Sequence, residues 1–130
     1  MQRCRETARP LEARLGLTAS IIEEVSEIST PEDIHDRVEW LRVFMGGTWE
    51  NEASTHRAWR DALIARLEGL PDNTVVFTHF VAINAVVSKL QQRAETLVFR
   101  PTYCSVTTLE RSAEGLKIQQ LGSESDTRVL

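Results

Sequence analysis

A histidine at a predicted strand-to-helix junction is the residue of this sequence best placed to do chemistry. Residues 75–78 are β-branched or aromatic and follow the turn-like residues 71–73, which predicts a strand buried on both faces, as central parallel strands are. Between residues 83 and 90 the apolar side chains recur at helical spacing. His79 is therefore expected where a buried strand gives way to a helix.

Such a junction suits the binding of an anion. Ligands of open α/β sheets bind at the carboxyl ends of the strands, and a helix N-terminus offers free N–H groups and the positive end of its dipole. One titratable imidazole beside that helix end indicates phosphate chemistry. The alternative is that His79 only caps the helix or forms a hydrogen bond with a loop.

The composition is that of one globular domain, predicted to span residues 1–130. Of the 130 residues, 42% are apolar and 26% are charged, which is ordinary for a domain with a single core. The net charge of −4 argues against a nucleic-acid or anionic-membrane partner. No apolar run reaches membrane-spanning length and the charged N-terminus is unlike a signal sequence, so a soluble, cytoplasmic protein is expected.

The cysteines and the two other histidines predict no metal site. Cys4 and Cys104 lie in different elements and form no Cys-x-x-Cys pair, so both are expected to be small core residues in a reducing compartment. His35 and His56 lie in or beside amphipathic helices and lack the spacing of metal ligands. We expect neither a metal nor another cofactor.

Three helices are predicted before the His79 junction, over residues 1–16, 30–45 and 52–70. Gly16 ends the first, and Thr30 and Asp33 form a capping box for the second. The first helix has neither an N-cap residue nor a preceding strand, so the fold is predicted to be N-terminally incomplete. Trp49, in a loop, is either a core residue or part of a substrate lid.

Short strands are predicted within residues 17–28 and over residues 75–78, 97–99, 103–111 and 116–121. Residues 113–115 turn the last two into an antiparallel hairpin, and the polar tail of residues 122–130 is expected to fray. Buried strands alternating with helices predict a three-layer α/β/α fold with a mostly parallel central sheet. An uncovered strand edge in such a fold would favour assembly into a homo-oligomer.

Several motifs, in this order, resemble those of the histidine phosphatase, or phosphoglycerate mutase-like, superfamily. Residues 3–8, Arg-Cys-Arg-Glu-Thr-Ala, resemble its Arg-x-x-x-Thr-Ala helix, which normally follows a Ser-Pro pair. Residues 75–79 resemble its second-histidine strand, and residues 103–107 its late Asn-x-Ser-[Ile/Val]-Thr strand. Glu27 and Ile28 fall where many members carry an acidic Glu-Ile pair.

The resemblance implies a reaction and a role for four residues. In the family, a histidine of an Arg-His-Gly motif attacks a phosphomonoester, and water then releases phosphate from the phosphohistidine. Arg3 is implied as the phosphate clamp, His79 as the second, charge-stabilising histidine and Glu27 as the proton donor. The backbone N–H of Phe80 would also face the anion, which would be phosphate or a small phosphorylated substrate. The alternatives are a solvated surface arginine and a solvated acidic loop.

Two departures from the family pattern bear on activity. The sequence contains no Arg-His-Gly, so the nucleophile is absent and the chain is expected to be inactive. Phe80 stands where many members have glycine after the second histidine, and its ring would narrow or cover the pocket.

Three hypotheses for the function remain. The chain is either the C-terminal portion of a histidine phosphatase or a non-catalytic module that binds phosphate or a protein partner. A third hypothesis is an unrelated flavodoxin-like ligand binder, which would not require Arg3 and His79 to converge.

Overall fold

The computed structural model describes residues 1–125 of the chain. In this part, four α-helices precede one β-hairpin. The helices are α1 (Gln2–Leu15), α2 (Arg37–Met45), α3 (Ser54–Glu68) and α4 (Phe80–Leu90), and the strands are β1 (Thr108–Ser112) and β2 (Gly115–Gln120). Single 3-10 turns lie at Glu23–Val25 and Trp49–Asn51. Of the helices within residues 1–125, none combines the length and the apolar character that a membrane crossing requires.

The first predicted helix is confirmed. α1 ends at Gly16, whose φ of 65° is the left-handed conformation that glycine adopts at little steric cost, and the Gly16 N–H donates to the Glu12 carbonyl. No side chain caps the helix at Met1, in agreement with the missing N-cap residue. Pro10 lies inside the helix without ending it.

The second predicted helix begins later than expected. α2 starts at Arg37, because Asp36 is the N-cap and its Oδ1 accepts a hydrogen bond from the Glu39 N–H at 3.0 Å. The predicted Thr30–Asp33 capping box is wrong, since the Thr30 hydroxyl accepts a hydrogen bond from the Arg37 guanidinium instead. The third predicted helix is confirmed with slightly shorter ends, as α3.

The main core lies between α3 and α4 and includes side chains from α2 and from the segments between the helices. Trp49 is 4% exposed and its indole N–H donates to Ser88 Oγ at 2.8 Å, so it is a core residue and not a lid. The buried apolar side chains of this core are Ile28, Phe44, Trp49, Leu63, Ile64, Val81, Ala82, Ala85 and Val86. The core thus holds the N-terminal half of α4 in place.

The predicted mostly parallel central sheet is not found within residues 1–125. The strands in this range form one two-stranded antiparallel sheet, in which β1 pairs with β2. Residues 75–78 join no ladder, and the N–H and C=O groups of residues 75–77 have no hydrogen-bond partner in the described part of the chain. A strand exists only where a neighbouring strand satisfies its backbone, and here none does.

Two further predicted strands are also wrong. Residues 17–28 contain a 3-10 turn at Glu23–Val25 and no strand. In residues 97–99 the N–H groups of Val98 and Phe99 donate to Asn84 Oδ1 at 2.9 and 3.1 Å. A side-chain amide on α4 therefore takes the place of a strand partner.

The predicted hairpin is confirmed, although its first strand is shorter than expected. Gly115, opposite Ser112, makes the turn with a φ of 108°. β1 begins at Thr108 and not at residue 103, and the nearby Cys104 has a positive φ of 57° that does not suit a strand. Glu124 bridges Pro101, so the tail is attached to that point, whereas residues 126–130 of the predicted fraying tail lie outside the described residues.

Candidate functional site

A cleft of about 1160 Å³ brings together segments that are distant in the sequence. Arg3 and Cys4 reach it from the first turn of α1, and His79 and Phe80 from the start of α4. Residues 71–78 and 101–109 line much of the rest. Of the four predicted site residues, Arg3, His79 and Phe80 therefore line one cleft. Glu27 is not among the residues that line it.

His79 lies at the junction of an irregular segment and a helix. It is the N-cap of α4, with φ −125° and ψ 166°, and only 6% of its surface is exposed. Its side chain does not cap the helix, so the alternative role of a simple cap does not apply. The imidazole is turned instead towards α1, where its Nδ1 lies 3.2 Å from Arg3 Nη2.

This contact with Arg3 defines the proton arrangement on the imidazole. A guanidinium can only donate, so Nδ1 accepts from Arg3 and the neutral ring carries its proton on Nε2. Burial, followed by the positive charge of Arg3, lowers the pKa of His79 below its usual value. The Arg3 guanidinium thus keeps N–H donors for an anion, whereas His79 Nε2 lies 3.5 Å from Cys4 Sγ.

Cys4 contacts the same imidazole. Its Sγ lies 3.5 Å from His79 Nε2 and 3.8 Å from Nδ1, and its thiol donates to the Thr78 carbonyl at 3.4 Å. Cys4 is thus half-buried at the cleft, not a core residue. Cys104 is exposed, so its predicted place in the core is wrong, and neither thiol forms a disulfide.

Glu27 binds the N-terminus of α4. Its Oε2 accepts the Val81 N–H at 3.1 Å and its Oε1 accepts the Ala82 N–H at 3.0 Å. Two of the N–H groups that were expected to be free for an external anion are therefore occupied by this carboxylate. Burial raises the pKa of Glu27 above its usual value of 4.5, against the lowering effect of these hydrogen bonds.

Phe80 offers a backbone donor beside His79. Its N–H has no acceptor within residues 1–125, and it is the first N–H of α4. The Phe80 side chain is partly buried against the core, and the residue also lines the cleft. An anion seated here would meet the Arg3 guanidinium, the His79 ring and this N–H.

The comparison with known proteins identifies the family. The family model of the histidine phosphatase superfamily (branch 1) matches residues 1–124. The chain belongs to the histidine phosphatase superfamily. No curated protein and no solved structure matches it.

Arg37, which the sequence motifs do not indicate, contacts the segment next to Glu27. Its Nη2 donates to the Ile28 carbonyl at 3.1 Å and its Nη1 donates to Thr30 Oγ1, so it holds the segment that follows Glu27. Burial raises the pKa of Glu27 and the charge of Arg37 partly opposes that rise, whereas for His79 the same charge adds to the lowering of the pKa by burial and Arg3. Its position in the sequence could have indicated a structural role. A cation in the first turn of a helix is disfavoured by the helix dipole, so other contacts must stabilise it.

The other histidines take no part in the site. His56 is 8% exposed, its Nδ1 lies 3.0 Å from Glu52 Oε2, and its ring packs near Trp40 and Phe44. It is therefore buried, whereas His35 is exposed. Within residues 1–125, no group of three histidine, cysteine or acidic side chains is arranged to hold a metal ion.

Proposed function

We propose that this chain carries the phosphoryl-binding part of a histidine phosphatase site. Arg3 and His79 would bind the phosphoryl oxygens, together with the Phe80 N–H. The observation that carries the proposal is the 3.2 Å approach of Arg3 Nη2 to His79 Nδ1, two residues separated by 76 positions, at the N-terminus of α4. Donors fixed in advance around an anion provide the electrostatic stabilisation on which phosphoryl transfer depends.

Glu27 is assigned the role of proton donor to the leaving alkoxide. Burial raises its pKa, which favours the protonated form that a general acid requires. Its carboxyl oxygens are within 3.1 Å of the Val81 and Ala82 N–H groups, so donating a proton to substrate would also strengthen these two bonds to the resulting carboxylate.

Hydrolysis requires a nucleophile that this sequence does not contain. No Arg-His-Gly motif is present, and His35 and His56 do not line the cleft. We therefore propose binding without turnover for this chain on its own, and phosphomonoester hydrolysis for a site that includes the family's nucleophilic histidine. The isolated chain should not hydrolyse an aryl phosphate, and turnover that disappears in His79→Ala would contradict this.

Binding is tested by titrating orthophosphate into the 15N-labelled chain and following the His79 ring and the Phe80 N–H by NMR. Arg3→Gln should weaken binding by about tenfold or more, because hydrogen bonds to charged groups contribute roughly 1.5–3 kcal/mol. Arg5→Gln is the matched control, since Arg5 is exposed two positions away on the same helix and lies outside the cleft. Equal weakening by both substitutions, or by neither, would reject the site.

A second candidate function is the binding of a polypeptide partner. It is favoured by residues 75–77, whose backbone groups have no partner within residues 1–125 although their side chains favour a strand. A partner strand that pairs here would satisfy these groups by β-augmentation. Amide hydrogen exchange separates the two functions, since orthophosphate should protect Phe80 and a strand partner should protect residues 75–77.

A further inference from the structure

Glu27 depends on other residues for its position. It lies in the irregular segment between the 3-10 turn Glu23–Val25 and α2, so no helix or strand fixes its backbone. The Ile28 side chain next to it is 1% exposed, which anchors one side of the segment in the core. The Thr78 hydroxyl donates to the Val25 carbonyl at 2.5 Å and holds the segment before Glu27.

Arg37 supplies the connection on the other side. Its guanidinium spans two acceptors of this segment, the Ile28 carbonyl and the Thr30 hydroxyl. The planar fork of an arginine suits such a bridge, whereas a lysine ammonium is a single point of contact. Since Ile28 directly follows Glu27, this bridge fixes the backbone from which the Glu27 side chain reaches α4.

The placement of Arg37 is otherwise unfavourable. It is the first residue of α2, where a positive charge meets the positive end of the helix dipole. The ring of Trp40 lies 5.8 Å from its guanidinium carbon and provides one compensating contact. The two hydrogen bonds to the Glu27 segment provide the others.

We propose that Arg37 is a positioning residue that holds the Glu27 carboxyl against the N-terminus of α4. This inference rests on the proposed role of Glu27 in the site. Arg37 acts through the Ile28 carbonyl and the Thr30 hydroxyl and does not itself contact the anion. Its loss would free the segment, so that the Glu27 oxygens would no longer stay on the Val81 and Ala82 N–H groups.

The test is the hydrogen exchange of the Val81 and Ala82 amides in the 15N-labelled chain, measured by NMR. Arg37→Gln should accelerate their exchange by about tenfold or more, the change expected when hydrogen bonds to a charged group are lost. Arg37→Lys keeps the charge but cannot span both acceptors, so exchange should remain fast. Unchanged protection in Arg37→Gln, or full recovery in Arg37→Lys, would overturn the proposal.

Arg42→Gln is the matched control. Arg42 lies on the same helix and pairs with Glu39 at an exposed site, so its removal should leave both amides unchanged; acceleration there would overturn a specific role for Arg37. If Arg37→Gln does not fold, Thr30→Val removes one acceptor of the bridge and should accelerate the exchange of the Val81 and Ala82 amides to a smaller extent. Unchanged exchange in Thr30→Val would overturn the proposal. Orthophosphate binding by the unchanged chain tests the proposed function separately.

Discussion

Two walls meet at His79 and are held in different ways. The first wall is the start of α4, and the second wall is the segment of residues 75–77. On one wall, side chains from distant segments satisfy the start of α4: Glu27 accepts the Val81 and Ala82 N–H groups, and Arg3 contacts His79. On the other wall, the backbone of residues 75–77 has no hydrogen-bond partner within residues 1–125. The first wall is thus held by side chains from distant segments, whereas the second lacks a neighbouring strand within residues 1–125.

This difference shows which kinds of order the described chain supplies by itself. A helix closes its own hydrogen bonds, so α1 and α4 form and carry Arg3 and His79 to one place. A strand forms its hydrogen bonds with another segment, so the strand-forming side chains of residues 75–78 are not enough to make these residues a strand. Each of the following predictions tests a consequence of that contrast.

The largest effect is expected in the core that packs against α4, the helix of the first wall. Leu63 is 1% exposed and lies in the core cluster, so Leu63→Ala should lower the free energy of unfolding by about 2–5 kcal/mol in urea denaturation. Val106→Ala is the control, since Val106 lines the cleft but is 73% exposed and should cost less than about 0.5 kcal/mol. Equal costs would mean that Val106 is packed as tightly at the cleft as Leu63 is in the core.

A smaller effect is expected at the carboxylate that caps α4. Glu27→Gln keeps the shape but leaves one acceptor oxygen for the two N–H groups of Val81 and Ala82, which should cost about 1–2 kcal/mol. Urea denaturation below pH 4.5, where the contribution of Glu27 is full, measures this cost, and Glu24→Gln is a control because Glu24 is exposed. A cost no larger than that of the control would contradict the cap.

The same substitution has an expected pH dependence. Because burial raises the pKa of Glu27 above 4.5, the native state binds this proton more readily than the unfolded chain does. The contribution of Glu27 to stability is therefore full below pH 4.5 and is lost as the pH rises through the native pKa. The stability difference between the wild type and Glu27→Gln should shrink with rising pH, and a difference that grows would reverse the sign of the shift.

The sequence predicts the helices, the hairpin and the start of α4 after His79, because each depends on residues close together in the sequence. It also places Arg3 and His79 through family motifs, although their contact spans 76 positions. The parallel sheet fails because periodicity reports the burial and propensity of residues 75–78 but not whether a partner strand lies alongside. Arg37 is missed because its acceptors, an Ile28 carbonyl and a Thr30 hydroxyl, carry no residue pattern that marks an ion-binding site.

The two cysteines report on two parts of the cleft, Cys4 beside His79 and Cys104 in the segment of residues 101–109. Cys104 is exposed, whereas Cys4 lies against the His79 ring, so iodoacetamide should alkylate Cys104 faster than Cys4. Orthophosphate should slow the alkylation of Cys4 alone, because an anion on Arg3 and His79 would cover its sulfur. Mass spectrometry after cleavage at glutamate measures both rates, because Cys4 and Cys104 then lie on separate peptides of suitable length. Equal protection of both thiols would indicate a general effect of the salt and not occupancy of the site.

The smallest effect is expected on the second wall, in residues 75–77. Val75 is 62% exposed and its backbone groups have no partner in the described part of the chain, so Val75→Thr should change the free energy of unfolding by less than about 0.5 kcal/mol. Urea denaturation at several protein concentrations measures this change. If a second copy paired with residues 75–77, the cost would be larger and would depend on concentration, because pairing and unfolding would then be linked. A small, concentration-independent change would instead show that this backbone is solvated in the isolated chain.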